Sequence, residues 1–385
     1  MRAFILIPAV ICIYEIASLI LPLKLPLWGR ILSYLILISG LAKFLLYRQT
    51  ANGFEIINLP YGALLFFSTV FNFIIVAFFI LLVKDAVFIF WKIFLRAKFP
   101  GYYASLFAFS LAFCATLYGT YEGLIKIPQV VTHEVFIKNL GREFDGMKIA
   151  MLVDIHADEL TNHDFVQKIV DKTNALKPDL ILIPGDFVDG TVKARSYDLE
   201  PLKDLKAEHG VFGVTGNHEY YYDFQGWMKQ IPALGVKLLN NEKIILTSGG
   251  SKLIIAGVPD ITSGFMNLTD PDLDAALKDT PDAPIILMDH QPRNAKLNAR
   301  LAKEKNKNIA IQLSGHTHGG QMPGLYQIVK RFNNGFVRGW YDADGMKLFV
   351  SPGTSQWNGF AFRLFDPSEI SLFILHPKKQ VETRK

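Results

Sequence analysis

The sequence predicts an α/β domain of about 240 residues behind an all-α region of about four membrane-spanning helices. Three observations predict it. Long apolar runs fill the first third. Short β-branched runs alternate with amphipathic stretches in the rest. Charge and histidine are split between the two parts. Half of the 385 residues are hydrophobic and 19% are charged, against about a quarter charged in soluble domains. Mean hydropathy is +0.24. The first 125 residues hold nine Lys or Arg and four Asp or Glu, which leaves 31 of each sign for the remainder. All nine His follow residue 132. This composition excludes a disordered chain, a coiled coil and a disulfide scaffold. Cys12 and Cys114 both sit in apolar runs and read as packing residues. A neutral polar part argues against nucleic-acid binding, which needs a basic face to displace counterions.

The apolar runs fall at about 3–22, 31–47, 61–83 and 103–124, each near the roughly 20 residues a helix needs to cross a bilayer. The second carries Lys43, placed to snorkel to the headgroups. Trp28, Tyr47, Tyr61, Trp91, Tyr102 and Tyr103 flank the runs as an aromatic belt would. A multi-pass protein of the cell membrane is expected, with the lipid bilayer as a partner. Six basic residues in loops 23–30 and 84–101 face four at Arg2, Arg48, Lys126 and Lys138. That bias leans towards both loops being cytoplasmic and the polar domain extracytoplasmic. Glu15, inside the first run, marks a polar cavity or partner site, or else pairs with a neighbouring helix or sits protonated near an interface, and the second reading is favoured. Residues 126–145 read as a linker, and 146–385 as one domain.

In that domain, 147–153, 179–183, 211–215, 243–247, 252–258, 284–288, 309–313, 347–351 and 370–375 read as strands. Residues 162–176 and 223–233 have helical spacing, with Thr161 as the N-cap of the first. Five strands end in polar clusters. They are Asp154-Ile155-His156, Gly185-Asp186, Gly216-Asn217-His218-Glu219, Asp289-His290 and Gly315-His316-Thr317-His318-Gly319-Gly320. Sites in open α/β folds form at the carboxyl ends of strands. In extended backbone an Asp-x-His or His-x-His pair would point to one face. A single cluster of this kind is as readily a capped turn. Five in order, holding five of the nine His, point to cations. Imidazole and carboxylate donors suit Mn, Fe or Zn. The donors outnumber what one tetrahedral ion takes, and two divalent ions bridged by a carboxylate fit the count.

In this order the motifs resemble the calcineurin-like metallophosphoesterase superfamily. The run GHTHGGQ and the C-terminal stretch LFVSPGTSQWNGFAFRLFDPSEISLFIL resemble bacterial members carried behind transmembrane segments. The resemblance covers about 147–376. It implies two β-sheets packed face to face with helices outside. It implies one metal on Asp154, His156, Asp186 and His318, and a second on Asp186, Asn217, His290 and His316, with Asp186 bridging. His218 would contact phosphate and protonate the leaving oxygen, helped by Asn217. The implied reaction is attack of a metal-bound hydroxide on a phosphodiester, phosphomonoester or pyrophosphate. The membrane location suggests a lipid-linked phosphoester substrate.

One departure stands out. Protein phosphatases of the superfamily carry Asp-Arg-Gly after the bridging Asp, and here Asp189-Gly190 puts Gly at the Arg position. Asp158 and Glu219 are candidates either to orient a ligand His or to cap a turn. His163, His209 and His376 match no motif and read as ordinary surface residues. The competing expectation is a catalytically silent binding module or sensor at the membrane.

Overall fold

The computed structural model describes residues 2–42, 47–50, 53–56 and 59–378; Lys43 lies outside them. The chain forms two compact units. A helical unit takes the residues up to Lys126 together with Asn358–Leu364. A second unit takes Ile127–Trp357 and the chain from Phe365 onward, with Thr50–Phe54.

The helical unit contains α1 (Arg2–Glu15), α2 (Leu27–Ala42), α3 (Tyr61–Phe90) and α4 (Gly101–Thr120). Pro60 and Pro100 stand at the N-caps of α3 and α4. Lys24 and Arg96, in left-handed backbone, end the first and third helical runs. Among the described residues three runs are long and apolar enough to cross a membrane: Leu6–Leu23, Tyr61–Leu95 and Gly101–Ile125. The second expected span is the shorter helix Leu27–Ala42. The expected loop 84–101 is helical as far as Leu95. Lys84 and Asp85 escaped notice as helical because their charges resemble a span end. Lys84 pairs with Asp85 at 3.1 Å, and Tyr14 and Ser18 both donate to the Asp85 carboxylate at 2.6 Å. Lys84 and Lys92 therefore both leave the loop count, which becomes four against four. Glu15 is fully buried, and its carboxyl has no hydrogen-bond partner among the described residues.

A late segment belongs to this unit. Fully buried Asn72 on α3 donates to the Ala361 carbonyl at 2.8 Å. The Phe71 and Phe360 rings meet edge to face at 6.2 Å, and the Arg363 N–H donates to the Gly119 carbonyl at 3.0 Å.

Among the described residues of the second unit, twelve strands form two sheets of six. They are β1 (Gln129–Ile137), β2 (Lys148–Met151), β3 (Leu180–Ile183), β4 (Val211–Gly213), β5 (Val236–Leu238), β6 (Glu242–Ser248), β7 (Ser251–Gly257), β8 (Ile285–Met288), β9 (Ile309–Ser314), β10 (Gly339–Ala343), β11 (Met346–Val350) and β12 (Glu369–Pro377). One sheet runs β1-β12-β2-β3-β4-β5 and the other β10-β11-β9-β8-β7-β6. The β2 to β5 neighbours are parallel, as are β7, β8, β9 and β11.

The period of two decides the layers. Ile149, Met151, Leu180 and Leu182 of one sheet share a core with Leu253, Ile255, Ile286, Met288, Ile311 and Leu313 of the other. Their alternates face outward. Ala150, Ile181 and Ile183 pack on Phe165, Ile169, Trp227 and Ile231 of the helices His163–Ala175 and Phe224–Ala233. Ile254, Ile285 and Leu287 pack on Ala295, Ala299 and Ala302 of the helix Ala295–Glu304. The result is helix, sheet, sheet, helix.

Three local expectations change. The stretch read as a linker holds β1, nine residues in parallel register with β12. Only Val135 and Ile137 of it are buried, so its composition resembles a solvated connection. The N-cap of His163–Ala175 is Asn162, whose side chain accepts from the Phe165 N–H. His376 also does more than occupy surface. Its Nδ1 meets Asp145 and its Nε2 meets Glu134, both at 2.6 Å. These two carboxylates raise its pKa above 6.5.

A Cβ built on Gly119 would lie 2.1 Å from the Phe362 ring. Gly119→Val should therefore overpack the helical unit by about 1–3 kcal/mol. The melting temperature of the detergent-solubilised full chain should fall, and adding Phe362→Ala should recover part of the loss.

Candidate metal centre

The polar clusters sit just past the strands. Asp154 and His156 follow β2, Asp186 follows β3, and Asn217 and His218 open the short helix Asn217–Tyr221 after β4. His290 follows β8, and His316 and His318 follow β9. Adjacent parallel strands bring their carboxyl ends together within each sheet, and face-to-face packing brings the two sets together.

The backbone at these residues is not extended. Asp154, His156, Asp186, His316 and His318 all have positive φ, between 46° and 72°. Each left-handed non-glycine residue costs roughly 1–3 kcal/mol, and Asp, Asn and His bear it better than β-branched residues. The expected one-face geometry of Asp-x-His and His-x-His is therefore corrected. Tight turns, not strand pleating, aim the side chains.

Hydrogen bonds past the strand ends hold those turns. His156 N–H donates to the Asp186 carbonyl at 3.1 Å and Ala157 N–H to the Phe187 carbonyl at 3.0 Å. Fully buried Glu219 accepts from the N–H groups of Asp186, Phe187 and Gly216 at 2.7–3.1 Å. Asp154 accepts from the His316 N–H at 3.0 Å, and Asp186 Oδ1 accepts from the His218 N–H at 2.9 Å. Gly216 has no alternative, because a Cβ there would lie 2.1 Å from Asp186 Oδ1.

Among the described residues, side chains converge in three groups whose donor atoms lie within 4.8 Å of one another: Asp154, His156 and His318; Asp186, His290 and His316; His156, Asp189 and His218, the first and last sharing His156. His156 Nε2 is 3.1 Å from His318 Nε2. Asn217 Oδ1 is 2.8 Å from His316 Nδ1 and 3.2 Å from His290 Nε2. Asp186 Oδ2 lies between the first two groups, 3.1 Å from His290 Nε2 and 3.5 Å from His156 Nε2. His290 Nδ1 donates to the Pro184 carbonyl at 2.7 Å, which turns Nε2 towards Asp186. Seven donor residues of mixed imidazole, carboxylate and amide type, mostly buried, fit two divalent cations of the Mn, Fe or Zn kind.

All eight residues expected at the metals or the phosphate are thus brought together. Glu219 holds the backbone around Asp186 rather than a His. Asp158 caps its own turn, accepting from the Leu160 and Thr161 N–H groups at 2.7 Å. Asp289 turns away to Asn298 at 2.8 Å.

Sequence reasoning missed Asp189. Its Oδ1 lies 2.5 Å from His218 Nδ1 and 3.1 Å from His156 Nδ1. The signal was a second acid three residues after Asp186 in a Gly-rich turn. It also missed an aromatic rim. Tyr221, Tyr222 and Trp357 surround the His218 ring at 5.3–6.1 Å.

Electrostatics follow. Burial opposes charge on His218, but Asp189 and Asp186 outweigh it and hold its pKa up at about 9. Burial likewise opposes charge on Asp189, yet His218 and His156 hold it down at about 2. Burial and the nearby His290 push His316 down to about 3, so its imidazole is neutral. These opposite shifts favour a charged imidazole at His218 and a neutral one at His316.

A helix-flanked double sheet with this cluster at its strand ends defines a metal-dependent hydrolase of phosphate esters. The family model of the calcineurin-like phosphoesterases matches residues 147–320. An "Uncharacterized metallophosphoesterase" of Helicobacter pylori is 35% identical over 264 residues, covering 68% of this chain and 67% of that one. A bovine "Transmembrane protein with metallophosphoesterase domain" is 34% identical, covering 64% of this chain and 57% of its own. An Aquifex aeolicus "Uncharacterized metallophosphoesterase" is 28% identical, covering 69% and 99%. The chain belongs to the calcineurin-like phosphoesterase family, and it is a metallophosphoesterase.

Removing the Asp189 charge should free both histidines. Asp189→Asn should lower phosphodiesterase activity or metal affinity about 10–100-fold. Because that carboxylate raises the His218 pKa, the alkaline limb of the kcat profile should move to lower pH. A kcat–pH profile of wild type and variant tests both.

Proposed function

We propose that this chain is a membrane-anchored phosphoesterase that uses two divalent cations to hydrolyse phosphodiester, phosphomonoester or pyrophosphate bonds on a lipid-linked substrate. The shared carboxylate carries the proposal, since Asp186 Oδ2 stands at the junction of the two donor groups. One cation would take Asp154, His156, Asp186 and His318. The other would take Asp186, Asn217, His290 and His316. Two cations so held supply charge neutralisation for the phosphoryl oxygens and a nucleophile at neutral pH.

The chain's own residues do the rest. His218 gives its proton to the leaving oxygen from one ring nitrogen while Asp189 holds the other. Asn217 Oδ1 lies 2.8 Å from His316 Nδ1 and 3.2 Å from His290 Nε2, so the three donor atoms would face one cation. Glu219 holds the Asp186 turn rigid, so Asp186 needs no reorganisation during turnover. Gly190, in place of an arginine, leaves phosphate recognition to the cations and His218, which favours diesters and small esters over phosphoproteins. Three apolar helices of membrane-crossing length support the anchor.

The full chain in detergent, loaded with Mn, should hydrolyse bis-p-nitrophenyl phosphate. Chelation should abolish the activity, and Asp186→Asn should not recover it on adding metal. His218→Ala should cost about 10²–10⁴-fold on an alkyl leaving group and much less on p-nitrophenolate, which leaves without a proton. Equal losses on the two substrates would remove His218 from the acid role.

A further inference from the structure

The helix Pro323–Phe332 begins five residues after His318 and has no buried residue along its length. It is nonetheless amphipathic. Leu325, Ile328 and Phe332 recur at spacings of three and four on one face. Ile328 is 52% exposed and Phe332 72%. Such an apolar face in water is costly unless something covers it. Lys330 and Arg331 occupy the last turn. No acidic residue occurs between Glu304 and Asp342, although the polar region as a whole is balanced in charge. An exposed apolar face with basic neighbours and no acid fits a surface that is apolar below and anionic above.

This helix is also fixed to the metal centre. A Cβ on Gly320 would lie 3.0–3.3 Å from Tyr326, so the helix packs directly on the turn that carries His318.

We propose that the Pro323–Phe332 helix lies in the interface of an anionic bilayer, with Leu325, Ile328 and Phe332 among the acyl chains and Lys330 and Arg331 at the lipid phosphates. The His316–His318 turn is then held at headgroup level, so the phosphoester cleaved is one attached to lipid. The proposal rests on the membrane-anchored phosphoesterase proposed above and gives its substrate class a physical basis.

The test uses the full chain with Cys12 and Cys114 replaced by Ala, Phe332→Cys labelled with bimane, and reconstitution in mixed phosphatidylcholine and phosphatidylglycerol vesicles. A label at Tyr197→Cys, on an exposed helix of the same unit, serves as control. Lipids with a nitroxide near the headgroup should quench the label at 332 and leave that at 197 unchanged. Lys330→Glu with Arg331→Glu should abolish that quenching. The same pair should lower kcat/KM on a vesicle-borne phosphodiester while leaving bis-p-nitrophenyl phosphate hydrolysis intact. Quenching at 332 by aqueous iodide alone would overturn the proposal. So would a label shielded from both quenchers with 332–332 cross-links, which would assign the face to a second copy of the chain. Quenching is read without turnover. A wild-type chain that hydrolyses nothing would therefore refute the phosphoesterase activity separately.

Discussion

The Asp186 carboxylate is the constraint on which the rest of the site depends. One oxygen lies between His156 and His290, and the other accepts from the His218 backbone. A single residue thus ties together loops from both sheets. It must be fixed to a few tenths of an ångström, and three features do this. Glu219 spends its whole carboxylate on the N–H groups around it. Gly216 gives up a side chain so that the carboxylate can pass. The β2 and β3 loops continue to hydrogen-bond past the strands, through His156 and Ala157.

The cost of this arrangement is local strain. Five of the donor residues sit in left-handed backbone, where each costs roughly 1–3 kcal/mol. The common core of the two sheets offsets it. Side chains from at least six strands interdigitate there with almost no exposure. Rigid sheets therefore hold the strained donor turns at their rims. The same division explains why Asp189 serves both His156 and His218. One buried carboxylate meets two rings that approach from separate loops, and its charge raises the His218 pKa.

The helical unit follows a different rule. Its surface is apolar, so burial against water does little to specify it. Specificity comes from small residues and a few polar contacts, as in membrane helices generally. Gly119 leaves room for Phe362, and Asn72 holds the Ala361 carbonyl. The segment it grips directly follows Trp357, which stands over the His218 ring.

Much of this could be read from residues in order. Apolar runs marked the helices. Short continuous apolar runs such as KIAM and LILI marked strands buried on both faces. Asp, Asn and His after five of those strands marked the cation site, because few other structures need those donors at strand ends. What could not be read has a common cause. The fate of β1 depended on β12, some 240 residues away. The place of residues 358–364 depended on α3 and α4. Asp189 looked like any turn acid until two rings closed on it. The left-handed turns were hidden because extended and turned backbone share the same letters. Sequence alone determined which donor groups follow the strands, since donor type is a property of the residue. Tertiary structure alone decided how they are aimed, because aim is set by contacts between segments that no local pattern records.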